Sequence, residues 1–338
     1  MAAVTLHDVA DRAGVSLATA SRVLNGSARV PGRAISERVR QAAAELGYVA
    51  NAQAQALAKS ATRLIGLVVH DIADPYFSSI THGVQVAARR LGREVLVADT
   101  GLDPSVEHEA VRAFLAHRAD AIILAGSRFL GGADAEMRAE LTRHADQGGR
   151  VAVIGQPLRA GRSVILENHD GAAALADALV AGGHREFAVL AGPEDLATAV
   201  DRTEGFVAAL HAKGVDHVRV IRGAFGRDGG FAAAQQLLAS PADAWRGVCV
   251  FAITDVLAIG AIAAFRESGL RVPEDLYVAG FDDIPTLRDF VPGLTTVRLP
   301  LPEIGEQAVE LALGDEDAPA EVSVAGKVVL RESTRRPR

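Results

Sequence analysis

The sequence predicts an N-terminal all-α helix-turn-helix head followed by an α/β body of two doubly wound parallel-sheet lobes. Three observations carry this expectation. A pair of short, capped helices occupies residues 4–25, a basic balance is confined to the first sixty residues, and apolar runs alternate with amphipathic stretches from about residue 63 onward. At 338 residues, with 23% charged and 49% apolar side chains, the chain has an ordinary globular composition and room for two or three cores.

The head comes first. In VTLHDVADRAGVSLATASRVLN, Thr5 stands before Leu6 with Asp8 three residues on, which is a capping box. Gly14 suits the left-handed residue that ends a helix, and Ser16 then caps a second one. Val4, Leu6, Val9, Ala10, Val15, Ala20, Val23 and Leu24 fall where two crossed helices meet, and the small Ala10 and Ala20 permit close approach. Ser16, Thr19, Ser21, Arg22 and Asn25 remain on the polar face of the second helix, where each can bond a phosphate or a base edge. This is the layout of a unit whose second helix enters the major groove, with a plain helical hairpin as the alternative. A loop from Gly26 to Ala34 leads to a third helix from about Ile35 to Leu46, with Ile35, Val39, Ala42, Ala43 and Leu46 as its apolar stripe and Gly47 as its end. Residues 49–62, rich in Ala and Gln, read as a linker that becomes helical only in contact with something.

Charge separates the same zones. Residues 1–60 hold seven Lys or Arg against four Asp or Glu, a net +3, which leaves −10 of the total −7 on the rest. A basic head suits phosphates and an acidic body does not. The lone Cys249, inside GVCVFA, excludes an internal disulfide and reads as a small core residue in a reducing compartment. No apolar run is long enough to span a membrane and no export signal opens the chain, so a cytoplasmic location is expected.

In the body, strands are expected at 64–69, 94–99, 121–126, 151–155, 187–192, 219–225, 248–252 and 277–282, with helices at 76–91, 107–118, 170–181, 201–213, 228–239 and 255–268. Strands alternating with helices imply parallel sheets joined by right-handed crossovers. Eight such units exceed one compact sheet, so two lobes are expected. Ligands bind beyond the carboxyl ends of such strands, which puts a site in the cleft between lobes.

These residues resemble the lactose-repressor family of bacterial transcription regulators. The head matches the family pattern T-hydrophobic-x-D-V-A, A-G-V-S and T-x-S-R-V-L-N; GLVVHDIADPYFSSI, GHREFAVLAGP, DRTEGF, GLRVPEDLYVAGFDD, PGLTTVRLP and VVLRESTRRP follow in the family's order. The resemblance implies a homodimer whose heads bind double-stranded, roughly palindromic operator DNA. It also implies a body similar to periplasmic sugar-binding proteins, in which a small-molecule effector sets operator affinity. The implied domains are a head over 1–48, a hinge over 49–62 and a two-lobed body over 63–338. Lobe 1 would take about 63–160 and 293–320, and lobe 2 about 161–292 and 321–334. The heptad helix that makes tetramers in the family's namesake does not follow VVLREST, so a dimer is expected.

Carried over residue by residue, Leu17 and Ala18 match base-facing positions and, being apolar, would read thymine methyls or act by steric exclusion. Arg22 matches a base-reading position and suits bidentate bonding to guanine, worth about 1–3 kcal/mol of discrimination. Ser16, Thr19, Ser21, Asn25 and Tyr48 would position the DNA backbone, and Thr5 and Asn51 belong to the same DNA-binding set. Leu57 matches the hinge leucine that wedges into the minor groove. The hinge departs from the pattern: Ala50 stands where relatives have proline, and Ala52 and Gln53 replace more apolar residues. In the cleft, Arg202 and Asp282 match effector-bonding positions, and Phe77 and Phe225 match aromatic ones. Thr254 and Asp255, at the end of the VCVFA strand, complete the expected set, with Asp255 equally suited to capping the following helix. Gly155-Gln156 removes a carboxylate that many relatives carry, and Ile253-Thr254 replaces an asparagine. The expected ligand is a sugar or sugar derivative and the expected role a repressor of carbohydrate uptake or catabolic genes. The alternative is a co-repressor-dependent regulator of nucleoside or other metabolite genes.

An enzyme or a transporter's solute-binding protein on the same fold are remoter readings. No G-x-G-x-x-G follows a strand, no P-loop or G-x-S-x-G elbow is present, and the ten histidines, with His82, His108, His117, His144 and His184 scattered, show no metal-ligand spacing. No catalytic residue, metal or cofactor is therefore expected.

Overall fold

Thr5 opens the first helix through the predicted capping box. In the computed structural model, which describes residues 4–25, 31–49, 62–132, 134–241, 245–315 and 317–336, the Thr5 hydroxyl accepts from the Asp8 backbone and the Asp8 carboxylate accepts from Thr5 N at 2.8 Å. The chain divides into two units, residues 1–63 and 64–338. In the first, α1 (Leu6–Ala13) ends at Gly14, whose φ of 63° closes the helix onto Ala10 and Asp11. The Ser16 hydroxyl then accepts from Thr19 N at the start of α2 (Leu17–Asn25). The third helix, α3 (Arg33–Leu46), starts two residues before the expected Ile35, behind Gly32 and without a side-chain cap. Val9, Ala10, Ala20 and Val39 form its dry centre, with Leu6, Val15, Leu24, Leu46 and Tyr48 packed around them. Ile35, expected on the buried stripe, is 37% exposed, because it lies a full turn short of Val39, where tight packing begins.

In the second unit the first sheet is built from β1 (Leu64–Val69), β2 (Glu94–Asp99), β3 (Ala121–Ala125), β4 (Arg150–Ile154), β5 (Arg162–Leu166) and β11 (Glu321–Val324), in the order β11-β5-β4-β3-β1-β2. Every pairing in it is parallel. The helices α4 (Pro75–Arg90) and α11 (Leu301–Leu313) cover one face, and α5 (Pro104–Ala116) and α6 (Ala135–Asp146) the other. The pleat sorts the side chains of β1 accordingly. Ile65, Leu67 and Val69 join the core of α4 and α11, whereas Val68 joins Val111, Phe114 and Leu141 on the opposite side.

The second sheet takes β6 (Phe187–Ala191), β7 (Val218–Arg222), β8 (Cys249–Ala252) and β9 (Tyr277–Ala279) in the parallel order β7-β6-β8-β9. Its helices are α7 (Asn168–Ala181), α8 (Ala197–Ala212), α9 (Gly226–Leu238) and α10 (Asp255–Glu267), packed in the pairs α7–α8 and α9–α10. An antiparallel ribbon of β10 (Thr296–Arg298) and β12 (Lys327–Val329) completes the unit. The chain passes between the two sheets three times: from β5 to α7, from β9 through β10 to α11, and from β11 to β12.

All eight expected strands form, several of them shorter, and β5, β10, β11 and β12 add to them. Two of these additions correct the expected lobe boundaries. β5 and β11 pair with each other, Val164 opposite Val322, and β5 pairs with β4, so 162–166 and 321–324 belong to the first sheet rather than to lobe 2. Among the described residues no helix is long and apolar enough to cross a membrane.

Candidate functional site

Both sheets start near their middle and grow outward in both directions, so the loops beyond β1 and β3, and beyond β6 and β8, diverge and leave crevices at the strands' carboxyl ends. A cavity of about 430 Å³ lies there, a size typical of small-molecule sites. The first lobe lines it with His70, Asp71, Asp74, Tyr76, Phe77, Asp99, Ser127 and Gly155, the second with Thr198, Arg202, Phe225, Thr254 and Asp282.

Arg202 and Asp282 form its charged floor. From α8, Arg202 donates through Nε to Asn168 Oδ1 at 2.9 Å and through Nη1 to the Ile253 carbonyl at 2.8 Å. Its Nη2 lies 2.9 Å from Asp282 Oδ1, and its guanidinium stacks 3.8 Å above the centre of the Phe281 ring. Asp282 holds a φ of 116°, a strained backbone for a non-glycine residue, which the surrounding contacts must enforce. Burial pushes its carboxyl up to about 7 against the pull of Arg202. Asp74, which caps α4 by accepting from Tyr76 N at 2.9 Å, is pushed up to about 6 by burial, with Asp71 adding to the effect.

Of the six effector residues expected from sequence, the cavity brings together Phe77, Arg202, Phe225, Thr254 and Asp282. Asp255 is the correction. It is completely buried, and its carboxylate accepts from Ile284 N at 3.0 Å and from the Thr296 hydroxyl at 2.7 Å. Thr254 caps α10 by accepting from Leu257 N at 3.2 Å, and the next residue along a helix turns away from its neighbour. Asp255 therefore ties α10 to the ribbon instead of facing a ligand.

Sequence reasoning missed His70, Asp71, Asp74 and Asp99 in the lining. The signal was present, since His70, Asp71 and Asp99 stand at or just beyond the carboxyl ends of β1 and β2. Gln156, expected only as a lost carboxylate, bridges the lobes. Its Oε1 accepts from Arg128 N at 3.1 Å, and its Nε2 reaches Thr198 Oγ1 and Asp201 Oδ2, each at 3.3 Å. Beside it, Thr198 N donates to Ser127 Oγ, Ala197 N to the Arg128 carbonyl and Leu130 N to the Asp195 carbonyl. Arg128 itself makes a buried, bidentate ion pair with Glu107, at 2.6 and 2.8 Å.

In the head, Ser16, Leu17, Ala18 and Arg22 are exposed along the start and outer face of α2, while Thr19 and Ser21 are half-buried. Thr5 is exposed but engaged in its capping box, and Tyr48 packs against the head's core. Asn25 ends α2; Asn51 and Leu57 lie outside the described residues. Among the described residues, His108, Glu136 and Glu140 place potential metal-ligand atoms within 4.8 Å of one another. Arg112 already bonds both carboxylates, at 3.4 and 3.0 Å, and His108 bonds Glu140, so the cluster is an ion-pair network. His184, expected among scattered surface histidines, is buried and bonded to the Thr334 carbonyl at 2.9 Å.

Comparison with known proteins bears on both units. Residues 5–51 match the bacterial regulatory proteins of the lacI family, and residues 176–334 match a periplasmic binding protein-like domain. The chain is 35% identical over 314 residues to the HTH-type transcriptional regulator GalS of Salmonella typhimurium, covering 92% of this chain and 89% of that protein. It is similar to the lac repressor dimer solved with operator and the anti-inducer ONPF, with a TM-score of 0.83, 28% identity, and 98% and 99% of the two chains covered. It is also similar to the transcriptional regulator CelR in complex with cellobiose, with a TM-score of 0.67, 31% identity and the same coverage.

Proposed function

The chain belongs to the lacI family of bacterial regulatory proteins, and from that premise we propose that it is a cytoplasmic, dimeric repressor of carbohydrate uptake or catabolic genes. The ligand is sugar-like, bound between the two sheets of the body. One observation carries the reading: residues from both lobes converge on one cavity through which a buried Arg202–Asp282 pair is accessible. A carboxylate, a guanidinium and facing aromatic rings are groups that bond hydroxyls and stack on sugar faces. The cellobiose held by CelR and the operator held by the lac repressor support the same assignment.

A ligand touching both lobes favours one arrangement of them. Only that difference in affinity moves DNA binding, and the coupling is reciprocal. Thr5, Ser16, Leu17, Ala18, Thr19, Ser21, Arg22, Asn25, Tyr48, Asn51 and Leu57 carry the DNA side of the function. Phe77, Arg202, Phe225, Thr254 and Asp282 carry the ligand side. For the dimer, the edge strands β2 and β7 offer the exposed apolar side chains Leu96, Val97 and Val220.

The test is capture of genomic fragments by the purified full chain, sequenced to obtain a motif. A palindrome upstream of sugar-uptake or catabolic genes is the expected result. A palindrome upstream of nucleoside genes, bound only when a metabolite is added, would replace a released repressor with a co-repressor-dependent one. No enrichment at low salt under either condition overturns the DNA-binding role.

A further inference from the structure

Resting on the reading of the cavity as the ligand site, we propose that its ligand is rich in hydroxyl or N–H donors and carries neither phosphate nor carboxylate, and that His70 is one of its direct hydrogen-bond partners. The lining is rich in hydrogen-bond acceptors. Four carboxylates, of Asp71, Asp74, Asp99 and Asp282, face the space. The first three are held by backbone N–H groups: Asp71 by Ala73, Asp74 by Tyr76, and Asp99 by Ile72 and Gly101. A carboxylate has about four lone-pair sites, so each keeps acceptor capacity for a donor-bearing ligand.

Proteins hold anions with free cations or open helix N-termini. Arg202 is the cation in the lining, and it is engaged by Asn168, the Ile253 carbonyl and Asp282. Arg128, behind the wall, gives both Nη groups to its bidentate pair with Glu107, which balances its charge, and keeps only a buried Nε without a partner. The helix ends are mostly occupied as well. Asp74 takes Tyr76 N at the start of α4, Ser127 takes Thr198 N at the start of α8, and Thr254 takes Leu257 N at the start of α10. Of these cavity-side helix starts, α9, beginning at Gly226, has no side-chain cap. One open helix end facing four carboxylates does not make an anion site.

His70 supplies what the carboxylates lack. It is 7% exposed, and neither ring nitrogen bonds another side chain or backbone group among the described residues. Its place is built for it: a Cβ at Gly126 would lie 2.4 Å from His70 Cε1, so only glycine there admits the ring. The ring leans on Phe77 at 5.5 Å between centroids. Burial and the neighbouring Arg128 pull the imidazole down to about 3, so at physiological pH it is neutral. One of its nitrogens then donates while the other accepts, which matches a hydroxyl, itself both donor and acceptor.

The experiment uses the full-length protein and matched pairs of probes, with binding read by thermal shift and calorimetry. The pairs are ribose and its phosphate ester, glucose and its phosphate ester, glucosamine and gluconate, and uridine and its monophosphate. Binding of a neutral or amino member, with its anionic counterpart at least about tenfold weaker, supports the proposal. Equal or tighter binding of an anionic member overturns it, as does silence of the whole panel in a protein that still binds its operator. Loss of operator capture fails the regulatory reading instead. In parallel, His70→Phe keeps a ring but no hydrogen-bonding nitrogen, and it should weaken the best ligand about tenfold, or about 1.4 kcal/mol. His70→Asn, retaining a donor and an acceptor, should recover part of that loss. The thermal unfolding midpoint of the ligand-free body serves as the folding control for both. Unchanged ligand affinity in His70→Phe removes His70 from the site.

Discussion

Arg202 and Asp282 meet at 2.9 Å in the cavity wall, with 2% and 3% of their side chains exposed. Removing Arg202 takes away the pull that opposes the burial of Asp282, so that carboxyl keeps its proton, and it strips Asn168 Oδ1 and the Ile253 carbonyl of a buried donor, at about 1–3 kcal/mol for each acceptor left unsatisfied. Arg202→Ala is therefore expected to lower the thermal midpoint of the body and abolish the ligand response, while the head still binds operator. Operator titrations with and without ligand check this. An unchanged dose response would take Arg202 out of the site.

The same buried carboxyls shape the pH dependence of stability. Asp282 at about 7 and Asp74 at about 6 stand above the ordinary 3.8, so the folded chain holds protons that the unfolded chain has released. Their stabilising contribution is full below about pH 4 and fades as pH rises through about 6 to 7. His70 acts oppositely: with its imidazole pulled from 6.5 to about 3, its contribution is present above 6.5 and is lost as acid is added. Asp282→Asn cannot ionise, so its stability relative to the parent should rise between about pH 4 and pH 8. Unfolding midpoints over that range give the answer, and a constant offset between the two proteins would contradict the burial of this charge.

Gln156 joins Arg128 N in the first lobe to Thr198 and Asp201 in the second. Replacing it with Ala removes three hydrogen bonds, each worth about 1 kcal/mol net. Hydrogen exchange should then quicken at Arg128, Leu130, Ala197 and Thr198, the amides of this contact, and hardly elsewhere. The ligand concentration needed for half-maximal response should also move. Protection unchanged at all four amides would mean that the Ser127 and Asp195 contacts hold the lobes without Gln156.

How much of this was legible in the sequence depended on the range of the interactions. The head was readable because its signals are local: Thr5 with Asp8, Gly14 at φ 63° and Ser16 with Thr19 lie within four residues of their partners. The long apolar strands were readable for the same reason. β10 and β12 were not, because each is three residues long and exists only through the other, some thirty residues away. In the site, Phe77, Arg202 and Asp282 were found by their place in family-like motifs. Asp255 was misplaced because neighbours at a helix start point in different directions. His70 was invisible because a lone histidine after an apolar strand reads as core. What makes it a cavity residue is Gly126, on another strand's loop, and no pattern local to His70 contains that information.

Arg22 is exposed on α2 and bonds no other residue among the described ones, while Leu17, in the first turn, is 47% exposed. An arginine left free on a recognition helix has two uses, and they differ in measurable ways. If it reads a guanine edge, Arg22→Ala loses about 1–3 kcal/mol at one base pair, and the selected motif degenerates at that position alone. If it only holds phosphate, affinity falls evenly across sequences, and the slope of log affinity against log salt shrinks by about one. The expected result is the first. Leu57→Ala provides the contrast: if Leu57 acts as the proposed minor-groove wedge, its removal should weaken specific binding without degenerating any one position, and should leave ligand affinity nearly intact. Equal loss of ligand and operator binding in Leu57→Ala would remove the wedge role, because a residue acting only at the DNA cannot change a ligand's affinity when no DNA is present.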